Sequence, residues 1–199
     1  MGRDTRIAGL ALWAGLLAWQ SAEAQIPDRS ILRVLLTDLA EVPAGMLDHA
    51  KAEAVAVFER SQISLEWIDA KACEARCLFV RIVAKPIGTE SRKLSVVGIA
   101  QGTREARGKF AWVFYDRIRI YSTDLQLDAS QMLGHVIAHE LGHLLLPHGA
   151  HSLTGVMRPV WDRAQANGVI QGVLTFLPEE ATLIRHRLSA SASPLAHAR

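Results

Sequence analysis

The stretch Ala129–Leu146, with the sequence ASQMLGHVIAHELGHLLL, decides the fold of this chain. Its apolar residues recur at helical spacing, and Asp128 before it is a good N-cap, with Gln131 three residues on as a capping-box partner. Pro147 ends the pattern, because proline lacks an amide hydrogen and clashes with the preceding turn. Gly142 in mid-helix costs about 1 kcal/mol relative to alanine, which predicts a close packing contact there. We therefore predict a capped helix over 129–146.

Two histidines and a glutamate on this helix have the spacing of a metal site. Four residues turn a helix through about 400°, so His139 and His143 point the same way and can offer two imidazole nitrogens to one ion. Glu140 lies one step round the helix, beside such an ion, where a general base takes a proton from metal-bound water. Zinc suits nitrogen ligands and lowers the pKa of its water to about 7. The short His-Glu-x-x-His motif also arises by chance, so two packed histidines and a surface glutamate are the alternative.

A third metal ligand has to come from the chain beyond the helix. Catalytic zinc usually has three protein ligands, and the same helix cannot supply the third without strain. Pro147 and Gly149 turn the chain at this point, and both His148 and His151 lie within reach of the turn. Spacing alone leaves both histidines open as the third ligand.

The motif and the residues after it resemble the metzincin clan of zinc peptidases, and matrixins in particular. The matching segments are His139-Glu-Leu-Gly-His143, His151-Ser152 and Gly155-Val156-Met157. In that clan a helix gives two histidines, a third follows its turn, and a methionine-containing turn lies beneath the metal. The resemblance implies that His139, His143 and His151 bind one catalytic Zn²⁺. It further implies that Glu140 is the general base and that Met157 belongs to the Met-turn without binding the metal.

The chain departs from the family pattern in two places. The family has glycine three residues after the second histidine, where this chain has Leu146, and a third histidine six residues after the second. Here His148 lies five and His151 eight residues after it. His151 is favoured because Ser152 and Gly-x-Met follow it as in the family, whereas His148 comes too soon after the helix to reach back. His135, four residues before the first ligand, is predicted to be a packed or hydrogen-bonded helix histidine.

The remaining elements predict an α+β fold. We expect strands over 31–36, 63–68, 78–83, 96–101 and 111–121, further helices over 43–61 and 178–188, and a loop over 147–172. This order resembles the metzincin catalytic domain, which implies a mixed twisted sheet of about five strands, a long N-terminal helix, the zinc-binding active-site helix, a Met-turn and a C-terminal helix. Gly98-Ile99-Ala100 resembles the matrixin edge strand, so the expected partner is a peptide or protein substrate bound along the edge strand near Val96–Gln101.

The N-terminal segment and the two cysteines predict export. Residues 1–24 combine a charged start, a short apolar stretch and Ala22-Glu23-Ala24, as a cleaved signal peptide does; an uncleaved anchor is the alternative. The domain is predicted over 25–190 and a disordered tail over 191–199. Cys73 and Cys77 are expected to form a local disulfide, which suits a secreted or periplasmic protein with no membrane attachment after signal cleavage.

Composition excludes one broad class of function and leaves several others. The net charge is +2, and no basic run is interleaved with aromatic residues, so we expect no nucleic-acid partner. The sequence is interpreted as a secreted, monomeric zinc-dependent endopeptidase. The alternatives are a non-catalytic zinc-bound protein that binds peptides or proteins, a peptidase with Glu179 or Glu180 as third ligand, and a histidine-rich metal scavenger.

Overall fold

The computed structural model describes residues 30–73, 77–86, 95–102 and 107–192. The predicted signal peptide over 1–24 lies outside the described residues, as do residues 193–199 of the predicted tail. Cys73 and Cys77 form a disulfide, as the sequence predicted. No described helix is both long and apolar enough to cross a lipid bilayer.

A five-stranded mixed sheet forms one layer of the fold. Its strands are β1 (Ser30–Asp38), β2 (Ile63–Trp67), β3 (Leu78–Val83), β4 (Gly98–Gly102) and β5 (Arg107–Phe114). The spatial order is β2-β1-β3-β5-β4. Neighbours among β2, β1, β3 and β5 are parallel, and β4 pairs antiparallel with β5. The predicted five-stranded mixed sheet is therefore confirmed, with β4 at one edge.

Five helices accompany the sheet. They are α1 (Ala44–Glu59), α2 (Tyr115–Leu125), α3 (Ala129–Leu145), α4 (Arg163–Ile170) and α5 (Pro178–Ala192). The predicted helices at α1, α3 and α5 are confirmed, and the Asp128 carboxylate caps α3 by accepting from the amides of Ser130 and Gln131. α5 runs to Ala192, four residues beyond the predicted end of this helix.

The predicted strand over 111–121 is wrong beyond Phe114, where the chain turns into α2. Aromatic and β-branched residues in this run favour a strand by propensity alone. The burial pattern is helical instead: Ile118 and Ser122, four residues apart, are both buried, whereas Ile120 is 54% exposed. Packing of one helical face therefore overrides the local preference.

The predicted loop over 147–172 contains the short helix α4. Its start is a capping box: the Asp162 carboxylate accepts from the amide of Ala164, and the Gln165 side chain accepts from the amide of Asp162. Ala166 and Val169 then bury one face against the core. An Asp and a Gln three residues apart are the sequence signal for this start.

α3 lies in the centre of the molecule, packed against α1 and the sheet. Two glycines allow this close fit. A Cβ atom on Gly134 would come within 2.5 Å of the carbonyl oxygen of Ala50 in α1. A Cβ atom on Gly142 would lie 2.4 Å from Sδ of Met157 and 2.9 Å from the ring of Phe176. The predicted close contact at Gly142 is confirmed.

Candidate metal centre

Three histidines from two parts of the chain converge beside α3. His139 and His143 come from α3 and His151 from the loop after it, and their ligand nitrogens lie within 4.8 Å of one another. The centroid of the His143 ring lies 4.7 Å from the centroid of the His139 ring and 4.7 Å from that of the His151 ring. The structure therefore brings together the three histidines that the family resemblance selected. His148 is exposed on the rim of the same cleft and is not part of the cluster.

The donor geometry fits zinc. Nε2 of His139 lies 3.0 Å from Nε2 of His143. Two nitrogen ligands on one tetrahedral zinc lie about 3.3 Å apart, given Zn–N bonds of about 2.0–2.1 Å. Nδ1 of His139 donates to the carbonyl oxygen of Val156 at 2.7 Å. This hydrogen bond leaves the lone pair on Nε2, the atom that faces the other histidines.

All three imidazoles are held in the neutral form that binds metals. Burial, opposed by the hydrogen bond to Val156 and reinforced by the neighbouring His151, lowers the pKa of His139 to about 4. Burial, followed by His139, His151 and His148, lowers the pKa of His143 to about 3. Burial also lowers the pKa of the more exposed His151. At neutral pH protons therefore do not compete with a metal ion for these nitrogens.

Glu140 lies beside the histidine cluster. It is only 4% exposed, and burial raises the pKa of its carboxyl group to about 8 from an ordinary value of 4.5. Within the described part of the chain no salt bridge involves Glu140. Its carboxylate lines the same cleft as His139 and His143. A carboxyl group in this setting can take up and release a proton near neutral pH.

A cleft of about 430 Å³ exposes the cluster to solvent. Strand β4 forms one wall, and its other edge is paired with β5. The opposite side comes from α3 and from the loop that carries the third histidine. The lining residues include Gly98, Ile99, Ala100, Gln101, His148 and Pro159. The outer edge of β4 therefore runs along the opening that leads to the histidines.

The turn after α3 accommodates the departures from the family pattern. Leu146 takes the place of the family glycine and is buried, with an extended backbone at φ −88° and ψ 169°. Gly149, further along the turn, has φ +73°, a conformation that glycine adopts without a steric penalty. A longer turn thus delivers His151, eight residues after His143, to the cluster.

The loop 152–157 follows His151 and packs against α3. The amide of Ser152 donates to the carbonyl oxygen of Met157 at 3.2 Å, which closes the loop. Met157 is fully buried and contacts α3 at Gly142. Gly155 has φ +75°, a conformation that other residues rarely adopt. The position of Met157 under α3 agrees with a structural role.

Two acidic residues considered as ligands lie elsewhere. Glu179 and Glu180 occupy the first turn of α5, and neither belongs to the cluster. The buried Glu180 carboxylate accepts from the Ser152 hydroxyl and from the amide of Leu177. Sequence reasoning missed this contact, because nothing local indicates that residues 28 positions apart meet.

His135 behaves as predicted for a packed helix histidine. It is fully buried, and its Nδ1 donates to the carbonyl oxygen of Gln131 at 3.0 Å. Its ring contacts that of Trp161 edge-on, with centroids 6.2 Å apart. His135 therefore packs against Trp161 and is not part of the cluster.

Comparison with solved structures shows a likeness in fold. No protein-family model and no curated protein matches the chain. The fold is similar to that of archaemetzincin from Methanopyrus kandleri, with a TM-score of 0.52 and 13% sequence identity. The match covers 82% of this chain and 99% of that one. At this identity the likeness shows the fold alone, a mixed five-stranded sheet with helices.

Proposed function

We propose that this protein is a secreted or periplasmic zinc-dependent endopeptidase with a metzincin-like catalytic domain. One observation carries the proposal: three neutral imidazoles converge within 4.8 Å, beside a buried carboxylate that lines the same open cleft. The ligands are His139, His143 and His151, and one zinc ion binds per chain. The likeness to archaemetzincin supports the fold part of the proposal.

Glu140 acts as the general base and then as the general acid. Zinc, when bound, supplies a Lewis acid that polarises a peptide carbonyl and makes water more acidic. The Glu140 carboxylate takes the proton from the attacking water and passes it to the leaving amine. Burial raises the pKa of this carboxyl group in the zinc-free chain to about 8, and the positive charge of a bound Zn²⁺ would lower it again, towards the neutral range in which one group can accept and release a proton.

The substrate is an extended peptide or protein segment. Antiparallel pairing with β5 uses one edge of β4, and the residues of the other edge line the cleft beside the histidines. A peptide lying along β4 can form main-chain hydrogen bonds with this edge, and side-chain pockets can select the sequence. The substrate thus lies along β4 and the residues just before it, near Val96–Gln101.

Export agrees with the cysteine chemistry. The Cys73–Cys77 disulfide persists in oxidising compartments and is rare in the cytosol. The signal peptide over 1–24 would direct the chain to such a compartment. We propose a monomer as the working form.

Metal analysis and a peptide digest test the proposal together. The purified mature chain should contain about one zinc ion, and a mixed peptide library should be cleaved by it. A chelator should abolish cleavage, and added zinc should restore it. A protein that holds no zinc, or that cleaves equally well after chelation, contradicts the proposal. A protein that holds zinc and binds peptides without cleaving them supports the non-catalytic alternative.

A further inference from the structure

The loop 151–157, which carries the third histidine, is hydrogen-bonded to the rest of the fold near both of its ends. The amide of Val156 donates to the carbonyl oxygen of Thr175 at 2.9 Å, and the Thr175 hydroxyl donates to Val57 of α1 at 3.0 Å. The second anchor is at the His151 end, where the Ser152 hydroxyl donates to the carboxylate of Glu180. The loop is thus tied to α1 at one end and to α5 at the other.

His151 depends on this anchoring more than the other two histidines do. His139 and His143 are held by α3, and the His139 ring is also oriented by the carbonyl of Val156. The ring of His151 is exposed, and it forms no hydrogen bond with any residue that the structure describes. Leu153, two residues after His151, is 93% exposed. The backbone around Ser152 therefore sets the position of the third imidazole.

Glu180 combines two tasks in one buried carboxylate. It is 7% exposed, and one oxygen accepts from the Leu177 amide at 2.8 Å, which caps α5. The other oxygen accepts from the Ser152 hydroxyl. A buried carboxylate needs hydrogen-bond donors, so α5 and the loop each stabilise it in this position. The Ser152 contact is not needed for the cap, because the cap uses the other oxygen.

We propose that Glu180 is a positioning residue for the third histidine, and that metal binding at the cluster and packing of α5 are coupled through the Ser152–Glu180 hydrogen bond. This inference rests on the proposed function in assigning zinc to the three histidines. Without the hydrogen bond, zinc binding has to order the loop as well as occupy the site, and ordering a loop opposes binding. Conversely, zinc that fixes the loop stabilises the packing of α5, since coupling between two sites is reciprocal.

Ser152→Ala tests the coupling without removing the cap of α5. Residues that position a metal ligand typically contribute about 10–100-fold in metal affinity. We therefore expect Ser152→Ala to raise the zinc dissociation constant about tenfold. Competition with a chromophoric chelator measures this constant. Ser122→Ala is the matched control, because it deletes a buried hydroxyl that donates to Arg119 within α2. Ser152→Thr keeps a hydroxyl at position 152 and should restore most of the affinity.

Hydrogen exchange of the full mature chain separates coupling from a merely structural role. In the wild type, added zinc should slow amide exchange in α5, and in Ser152→Ala this protection should be much reduced. Two results would overturn the coupling while the proposed function stands. One is that Ser152→Ala binds zinc with wild-type affinity, and the other is that zinc does not change the amide exchange rate of α5 in the wild type. A wild-type chain that binds no zinc overturns both.

Discussion

A Cβ atom on Gly98 would lie 2.6 Å from Oε1 of Glu140 and 2.8 Å from its Cγ and Cδ. The carboxylate of Glu140 therefore occupies the space that any larger residue at position 98 would need. A glycine inside a strand often marks such a close approach. Because Gly98 belongs to β4, the strand proposed to bind substrate also sets the position of the proposed base.

Gly98→Ala should displace the Glu140 carboxylate and leave the histidine cluster intact. A misplacement of about 1 Å in a catalytic group can cost about 100-fold in rate, so we expect a comparable fall in kcat/KM with zinc content unchanged. Peptide-cleavage kinetics and metal analysis measure the two effects. Gly45→Ala is the control, since a Cβ there meets nothing within 4 Å. If Gly98→Ala cleaves peptides at the wild-type rate, the added Cβ does not displace the Glu140 carboxylate from its working position, and the prediction is contradicted.

Alanine substitution of the two candidate third ligands, His151 and His148, should have opposite effects on zinc content. His151→Ala removes one of the three converging nitrogens and should lower zinc content after dialysis far below one ion per chain. His148→Ala changes an exposed imidazole outside the cluster and should retain full zinc content. Metal analysis of the two variants side by side decides between them. Loss of zinc from His148→Ala alone would reverse the assignment.

The pKa of Glu140 predicts how the stability of the zinc-free protein depends on pH. Burial raises this pKa to about 8 from 4.5. Between these values the unfolded chain is ionised while the folded chain keeps the proton, so this group makes the free energy of unfolding fall as pH rises. Glu140→Gln does not titrate and should gain up to about 1.4 kcal/mol per pH unit over the wild type in this window. Urea unfolding across the window measures the difference, and a constant difference contradicts a raised pKa.

Gly142→Ala should destabilise the protein despite the better helix propensity of alanine. The added Cβ would lie 2.4 Å from Sδ of Met157 and 2.9 Å from the ring of Phe176, both buried. Overpacking of this kind costs about 1–3 kcal/mol, more than the propensity gain of about 1 kcal/mol. Urea unfolding of the zinc-free variant measures the net effect. An increase in stability would mean that Met157 moves aside freely.

Local sequence patterns predicted the part of the site that one helix carries. The four-residue spacing of His139 and His143 is a property of any helix, and the resemblance to the metzincins placed His151 beside them. Propensity failed at Tyr115, where packing of Ile118 turned a β-type run into α2. The Asp162 cap of α4 was overlooked although its signal is local.

The contacts that support the site were beyond prediction from local pattern. Gly98 meets Glu140, and Glu180 meets Ser152, only because the fold brings distant segments together. Nothing in the residues around Gly98 or Ser152 indicates these partners. Their positions follow from the packing of β4, α3 and α5 around one cluster.

Turnover by zinc-loaded Glu140→Gln tests the central claim most directly, because the substitution keeps the shape of the side chain and removes its basicity. General acid–base catalysis contributes about 100- to 10,000-fold, so kcat/KM for peptide cleavage should fall by at least about 100-fold while zinc content stays at one ion per chain. A zinc-loaded variant that cleaves peptides at the wild-type rate would contradict the assignment of Glu140 as the base.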